Sequence, residues 1–246
     1  MLICAGLTAA WPGASARAEG GWIIPDITTL PDDEAGRLVR QGKRLIGETY
    51  RLIGPEVPSA AKQKTGNNLA CRNCHLDDGT RKFGLPLLGQ GEGIEDKINF
   101  CMTRSMNGRP LDSDSPEMKA ITAYLAFISS AMPAVESAKG GGRLLAAAPG
   151  SPEDGKRIFA QDCANCHRSN GLGRRNGQRD DAGGYLAPPL WGPDSFSAKS
   201  PLAEPAVLAS YIYANMPLEA FYDRPLLSPQ DAANVAAFIL AAPRPE

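Results

Sequence analysis

"CRNCH", residues 71–75, recurs as "CANCH", residues 163–167, and the sequence around the two repeats in the same order. A similar helix start stands upstream of each, "GKRLIGETY" from Gly42 and "GKRIFAQDC" from Gly155. A proline turn follows each, "GLPLLG" (84–89) and "APPLWG" (187–192). Each half then closes on an apolar helix opened by Ser-Pro, "SPEMKAITAYLAFIS" from Ser115 and "SPQDAANVAAFILAA" from Ser228. Serine supplies the cap acceptor and proline at the first helical position has its φ already set. Ile121, Leu125 and Ile128, like Val235, Phe238 and Ile239, keep helical spacing. No alternating strand pattern of any length is present. The chain reads as all-α, a tandem duplication of one small helical unit.

The units run from about residue 20 to 133 and from 151 to 246, joined by a Gly-, Ala- and Pro-rich linker over 134–150. After the second motif, "RSNGLGRRNGQRDDAGGY" is too polar and glycine-rich for a helix and reads as a surface loop. The opening "MLICAGLTAAWPGASARAEG" has the apolar core and small-residue cleavage site of a secretory signal, cut near Ala16 or Ala18, so residues 1–18 are expected to be removed and the protein exported to the periplasm. Cys4 leaves with that segment. With 26 basic against 27 acidic groups, the charge argues against nucleic acid as a partner, and no apolar run reaches membrane-span length.

C-x-x-C-H is the attachment motif of a c-type haem: two thiols add to the vinyl groups and the adjacent histidine ligates the iron. Cys71, Cys74 and His75 would serve one haem, Cys163, Cys166 and His167 the other. A structural zinc site uses the same residue types, but one motif opening each repeated unit fits poorly with a single shared metal. His75 and His167 are the only histidines. Neither iron can therefore take a second histidine, and each sixth ligand is Met, Cys, Lys or water. In the second unit Met216, in "YIYANMPLEA", lies between the proline turn and the last helix. In the first, "IEDKINFCMTRSM" occupies the same slot. Laying Ile98 over Ile212 places Met102 over Met216 and Cys101 over Asn215, so either sulfur fits, with Met106 a third candidate.

Removing the leader leaves five cysteines, an odd number in an oxidising compartment. Cys101 is the one outside the motifs. It could be a buried inert thiol, half of an intermolecular disulfide, or an axial thiolate. On a helix it shares a face with Lys97, Arg104 and Ser105. Arg104 and Arg109, with Arg81 and Lys82 after the first motif, could form a positive pocket that favours a thiolate and suits a small dianion.

These stretches, "NNLACRNCHLDDGT", "GLPLLG", "INFCMTRSMNGRPL" and "SPEMKAITAYLAFI", then "CANCH" and "ANMPL", resemble the dihaem c-type thiosulfate dehydrogenases over nearly the whole mature chain. The resemblance implies two tandem cytochrome c domains with two covalently attached haems c, His75 and Cys101 axial on the first iron and His167 and Met216 on the second. It implies an oxidoreductase that joins two thiosulfates into tetrathionate, with some members running mainly in reverse. Cys101, Arg104, Ser105 and Arg109 fall on the family's catalytic positions, while Arg81, Lys82 and Lys97 are further substrate-binding candidates. Electrons would leave to an external acceptor such as a small cytochrome c or a high-potential iron–sulfur protein. Some members have a lysine just before the axial methionine that exchanges with it; here that residue is Asn215. Two other readings compete. A dihaem sulfur-oxidation cytochrome would need a partner subunit and a sulfur-carrier protein, and a purely electron-transferring cytochrome would have no use for an arginine-flanked thiol.

Overall fold

A glycine in each repeated helix start lets that helix approach another at backbone distance. The computed structural model describes residues 17–19, 22–89, 91–131, 145–177 and 184–246. In the first half α1 (Glu34–Gly47), α2 (Thr49–Ile53), α3 (Ile94–Arg104) and α4 (Pro116–Ser129) follow one another. In the second come α5 (Pro152–Ile158), α6 (Ala164–His167), α7 (Pro205–Asn215) and α8 (Pro229–Leu240). Helix α1 packs on α4 and α5 on α8. A Cβ placed on Gly42 would lie 2.0 Å from the Ala120 carbonyl oxygen and 2.6 Å from Cβ of Tyr124. One on Gly155 would lie 2.0 Å from the Asn234 carbonyl oxygen and 2.8 Å from Cβ of Phe238. The same crossing is thus made twice, with backbone against backbone.

The expected caps form. Ser115, Ser151 and Ser228 accept from the backbone N–H groups of Met118, Asp154 and Asp231, each ahead of a proline in the first turn, and Asp33 does the same for α1 without one. Among the described residues strand is confined to two short antiparallel pairs, β1 (Arg17–Glu19) with β2 (Trp22–Ile24) and β3 (Arg174–Arg175) with β4 (Tyr185–Ala187), too short for a period-2 pattern to register. Residues 1–16 of the expected leader and 134–144 of the expected linker lie outside the described residues.

The halves differ between their glycine and their motif. In the second, α5 runs through a π-helical turn (Phe159–Cys163) straight into α6 and the motif. The first interposes α2 and a loop, 54–70, whose polar side chains fasten it to the second half. The Glu56 carboxylate accepts from Arg175 at 2.9 and 3.0 Å and from Asn68 at 2.9 Å. Asn67, fully buried, donates to the carbonyls of Ser105 and Ser195. Because both partners of the Glu56–Arg175 pair are largely shielded from water, Glu56→Gln is expected to cost about 1–2 kcal/mol. A lowered melting temperature of the haem-loaded protein would register it; an unchanged one would show that this pair contributes nothing.

One core lies among α1 to α4, around Ile53, Met118 and Ile128, and a second around Phe159, Ile212, Val235 and Ile239. Phe159, Trp191 and Phe238 stack within the second, with ring centroids 5.3 to 5.7 Å apart. Leu76, directly after the first motif, belongs to the second core, and Cys74 and Leu85 pack against it. The first motif therefore sits where the two cores meet.

Candidate haem and catalytic site

The repeated proline turn orients both histidines. The carbonyl before the proline accepts from Nδ1 in each half, Leu85 from His75 at 2.5 Å and Pro188 from His167 at 2.8 Å. A carbonyl at Nδ1 places the proton there and leaves the Nε2 lone pair free to ligate a metal. Burial lowers the pKa of both rings, against the opposing pull of these hydrogen bonds, so each is held neutral.

Nε2 of His75 faces Sγ of Cys101 at 3.8 Å. Helix α3 delivers that sulfur because the flanks beside it are anchored: Ile94 and Ile98 pack against the first core, and Met102, 2% exposed, lies within it. Met106 is buried as well. Of the three sulfurs the repeat left level with Met216, Cys101 is the one that meets the histidine. Cys71 and Cys74 lie beside it: burial first, then the neighbouring Cys101 and Cys71 thiols, pushes Cys74 up to about 12. None of the five described cysteines is in a disulfide. Among the described residues no three His, Cys, Asp or Glu side chains are arranged to hold a bare metal ion. Two thiols beside an anchored imidazole that faces a sulfur across a narrow gap fit a covalently attached haem.

In the second half Cys163, half-buried, and Cys166, exposed, precede the buried His167. Met216 caps α7 in extended backbone and packs, half-buried, against the core that Cys163 also touches.

The cytochrome c family model matches residues 152–243. The chain is 33% identical to a thiosulfate dehydrogenase of Psychrobacter arcticus over 90% of its own length and 68% of the relative's. It is 32% identical to one of Allochromatium vinosum over 90% of its length and 84% of that protein. The fold matches a solved thiosulfate dehydrogenase of Marichromatium purpuratum in its as-isolated form, with a TM-score of 0.77 and 27% identity, over 91% of this chain and 49% of that one.

The chain belongs to the thiosulfate dehydrogenase family.

In this thiosulfate dehydrogenase the cations expected around Cys101 are distributed differently from a single ring about the thiol. Arg104 is exposed and lies over the Phe100 ring at 4.7 Å. Arg109, also exposed, donates to the Ala60 carbonyl at 3.3 Å. Lys97 stands exposed on α3, one turn before Cys101. Arg81 instead pairs with Asp77 at 2.8 Å and lies over Phe221, while the Lys82 ammonium sits 4.9 Å from the Tyr222 ring. These last two charges are engaged with the second half. Burial, then Cys71, pushes the Cys101 thiol up to about 11, while Ser105 pulls the other way. A bound iron would favour the thiolate that burial opposes.

Sequence reading missed what the second half brings to this site. The loop "PDSFSAKS", 193–200, cups the end of α3. Ser197 Oγ donates to the Arg104 carbonyl, Ser200 Oγ lies 3.0 Å from Ser105 Oγ, and the Ser195 carbonyl accepts from Asn107 at 3.0 Å. All three serines are buried. Their density in one short loop was the only signal, and nothing in it named a partner.

Proposed function

We propose that this thiosulfate dehydrogenase couples two thiosulfates into tetrathionate at the His75–Cys101 pair, and the observation that carries the reading is the 3.8 Å approach of Cys101 Sγ to His75 Nε2. Its two tandem units, about 20–133 and 151–246, each hold one haem c, through Cys71, Cys74 and His75 and through Cys163, Cys166 and His167. Cys101 and Met216 would complete the ligand sets of the two irons. The two haems, when bound, supply two one-electron acceptors for a reaction that releases two electrons. The protein works in the periplasm and passes those electrons singly to a small cytochrome c or a high-potential iron–sulfur protein.

Cys101 is the nucleophilic sulfur. Its thiolate bonds to the sulfane sulfur of one thiosulfate, giving a cysteinyl S-thiosulfonate and releasing two electrons. The sulfane sulfur of a second thiosulfate then attacks the sulfane sulfur of that adduct. The Cys101 sulfur leaves as thiolate and tetrathionate departs, so the cysteine is restored. Bringing two dianions together costs about 4 kcal/mol for each unit-charge pair about 4 Å apart near a surface. Arg104, Arg109 and Lys97, on or just past the Cys101 helix, offset that repulsion, and Ser105 favours the charged form of the sulfur. Arg81 and Lys82 contribute to the joint between the halves.

Anaerobic assay of the purified dihaem protein tests this reading. Thiosulfate with ferricyanide should yield one tetrathionate per two thiosulfates, and tetrathionate with a reduced dye reports the reverse. Activity in neither direction would overturn it. Arg109→Ala is expected to raise KM for thiosulfate on the order of tenfold, the loss of one charge-assisted contact, with both haem spectra unchanged. A change in either spectrum would instead make Arg109 a structural residue.

A further inference from the structure

Asn215 stands where the ligand-bearing loops of the two halves touch. It is the last residue of α7, directly before Met216, and is fully buried. Its Nδ2 donates to the Tyr211 carbonyl, one turn back, at 3.0 Å and across the joint to the Phe83 carbonyl at 2.9 Å. Its Oδ1 is buried without a partner. Two carbonyls facing Nδ2 fix the amide orientation, because the flipped group would oppose oxygen to oxygen. Phe83 lies two residues before Leu85, whose carbonyl orients His75. The same segment is gripped a second time, since the Phe83 and Tyr222 rings stack 4.6 Å apart and Arg81 lies over Phe221.

A buried amide with an orphaned oxygen costs free energy that a leucine of similar size would not. Holding the loops together is what its two donor bonds accomplish. We infer that Asn215 is a positioning residue that couples the two haem sites: it pins the Phe83–Leu85 turn, and with it the His75 ring, to the segment presenting Met216. This rests on the axial assignments proposed above. A hydrogen bond at Nδ1 makes imidazole a stronger donor to iron, and stronger donation favours the oxidised metal. Releasing the turn therefore makes the first haem easier to reduce, although the altered residue belongs to the second half.

Asn215→Leu, purified with both haems attached, tests this by reductive titration followed through the optical and electron paramagnetic resonance signals of each haem. The second haem's signal is expected to change through Met216. The first haem's one-electron equilibrium is expected to move about tenfold toward the reduced form, 59 mV. A merely local role for Asn215 would leave the first haem where it is in the native protein, and that result, or no change at either haem, overturns the coupling. If Asn215→Leu fails to load haem, Asn215→Ser, which retains one donor, is judged the same way: a smaller shift of the same sign at the first haem supports the coupling, and none overturns it. A native protein without a thiolate-type ferric signal would strike down the axial assignment instead, so the two failures are distinguishable.

Discussion

Cys101→Ser is expected to abolish thiosulfate oxidation, by at least about 10³-fold in kcat, in a protein that still carries both haems. On the proposed assignment attachment uses Cys71, Cys74, Cys163 and Cys166, and the α3 side chains that hold the helix in place, Ile94, Ile98 and Met102, are untouched. Serine is nearly isosteric with cysteine, so packing around His75 is preserved. What disappears is a sulfur that can both ligate iron and form a sulfur–sulfur bond. A hydroxyl is a poor ligand for haem iron and cannot carry a thiosulfate as a thiosulfonate. Pyridine haemochrome content should equal that of the native protein, and that equality separates lost chemistry from lost folding. Near-native turnover in the variant would remove Cys101 from the reaction.

Gly42→Val and Gly155→Val should each destabilise the protein by about 3 kcal/mol, at the upper end for overpacking. The added atoms would lie 2.0 Å from a backbone carbonyl of the crossing helix, where no flexible side chain can give way. Relief requires α1 to move off α4, or α5 off α8. The two substitutions also differ informatively. Gly155 is joined to the second motif by unbroken helix, whereas α2 and loop 54–70 separate Gly42 from the first. Displacement at Gly155 should therefore disturb the His167 haem spectrum more than displacement at Gly42 disturbs the His75 haem. Thermal unfolding and optical spectra of both variants check this; equal melting temperatures for variant and native protein would refute the shared crossing.

Much of this architecture was legible because duplication printed it twice. The glycine starts, the Ser-Pro caps and the C-x-x-C-H motifs each came with an internal control. The proline turn was legible as a turn, but its role was not: that the carbonyls of Leu85 and Pro188 orient the histidines is backbone geometry, carried by no side-chain identity. From the repeat alone Cys101 could be narrowed to a slot but not chosen over Met102, because alignment fixes position along a helix and not which face meets His75. Packing decides that face, and it sends Met102 into the core. The contacts of Arg81 and Lys82 were not legible for a related reason. Charge shows in sequence, but the aromatic rings of Phe221 and Tyr222 that engage them lie far along the chain. The serine loop at 193–200 and the Asn215 bridge are likewise long-range, and no local pattern announces them.

The most direct test of the central claim is the low-temperature electron paramagnetic resonance spectrum of the oxidised dihaem protein beside that of Cys101→Ser. If Cys101 and His75 share one iron, the native protein shows two distinct low-spin ferric signals, one of thiolate type, and the variant loses that signal while keeping the other. A thiolate-type signal that persists in Cys101→Ser, or a native spectrum without one, would contradict the account.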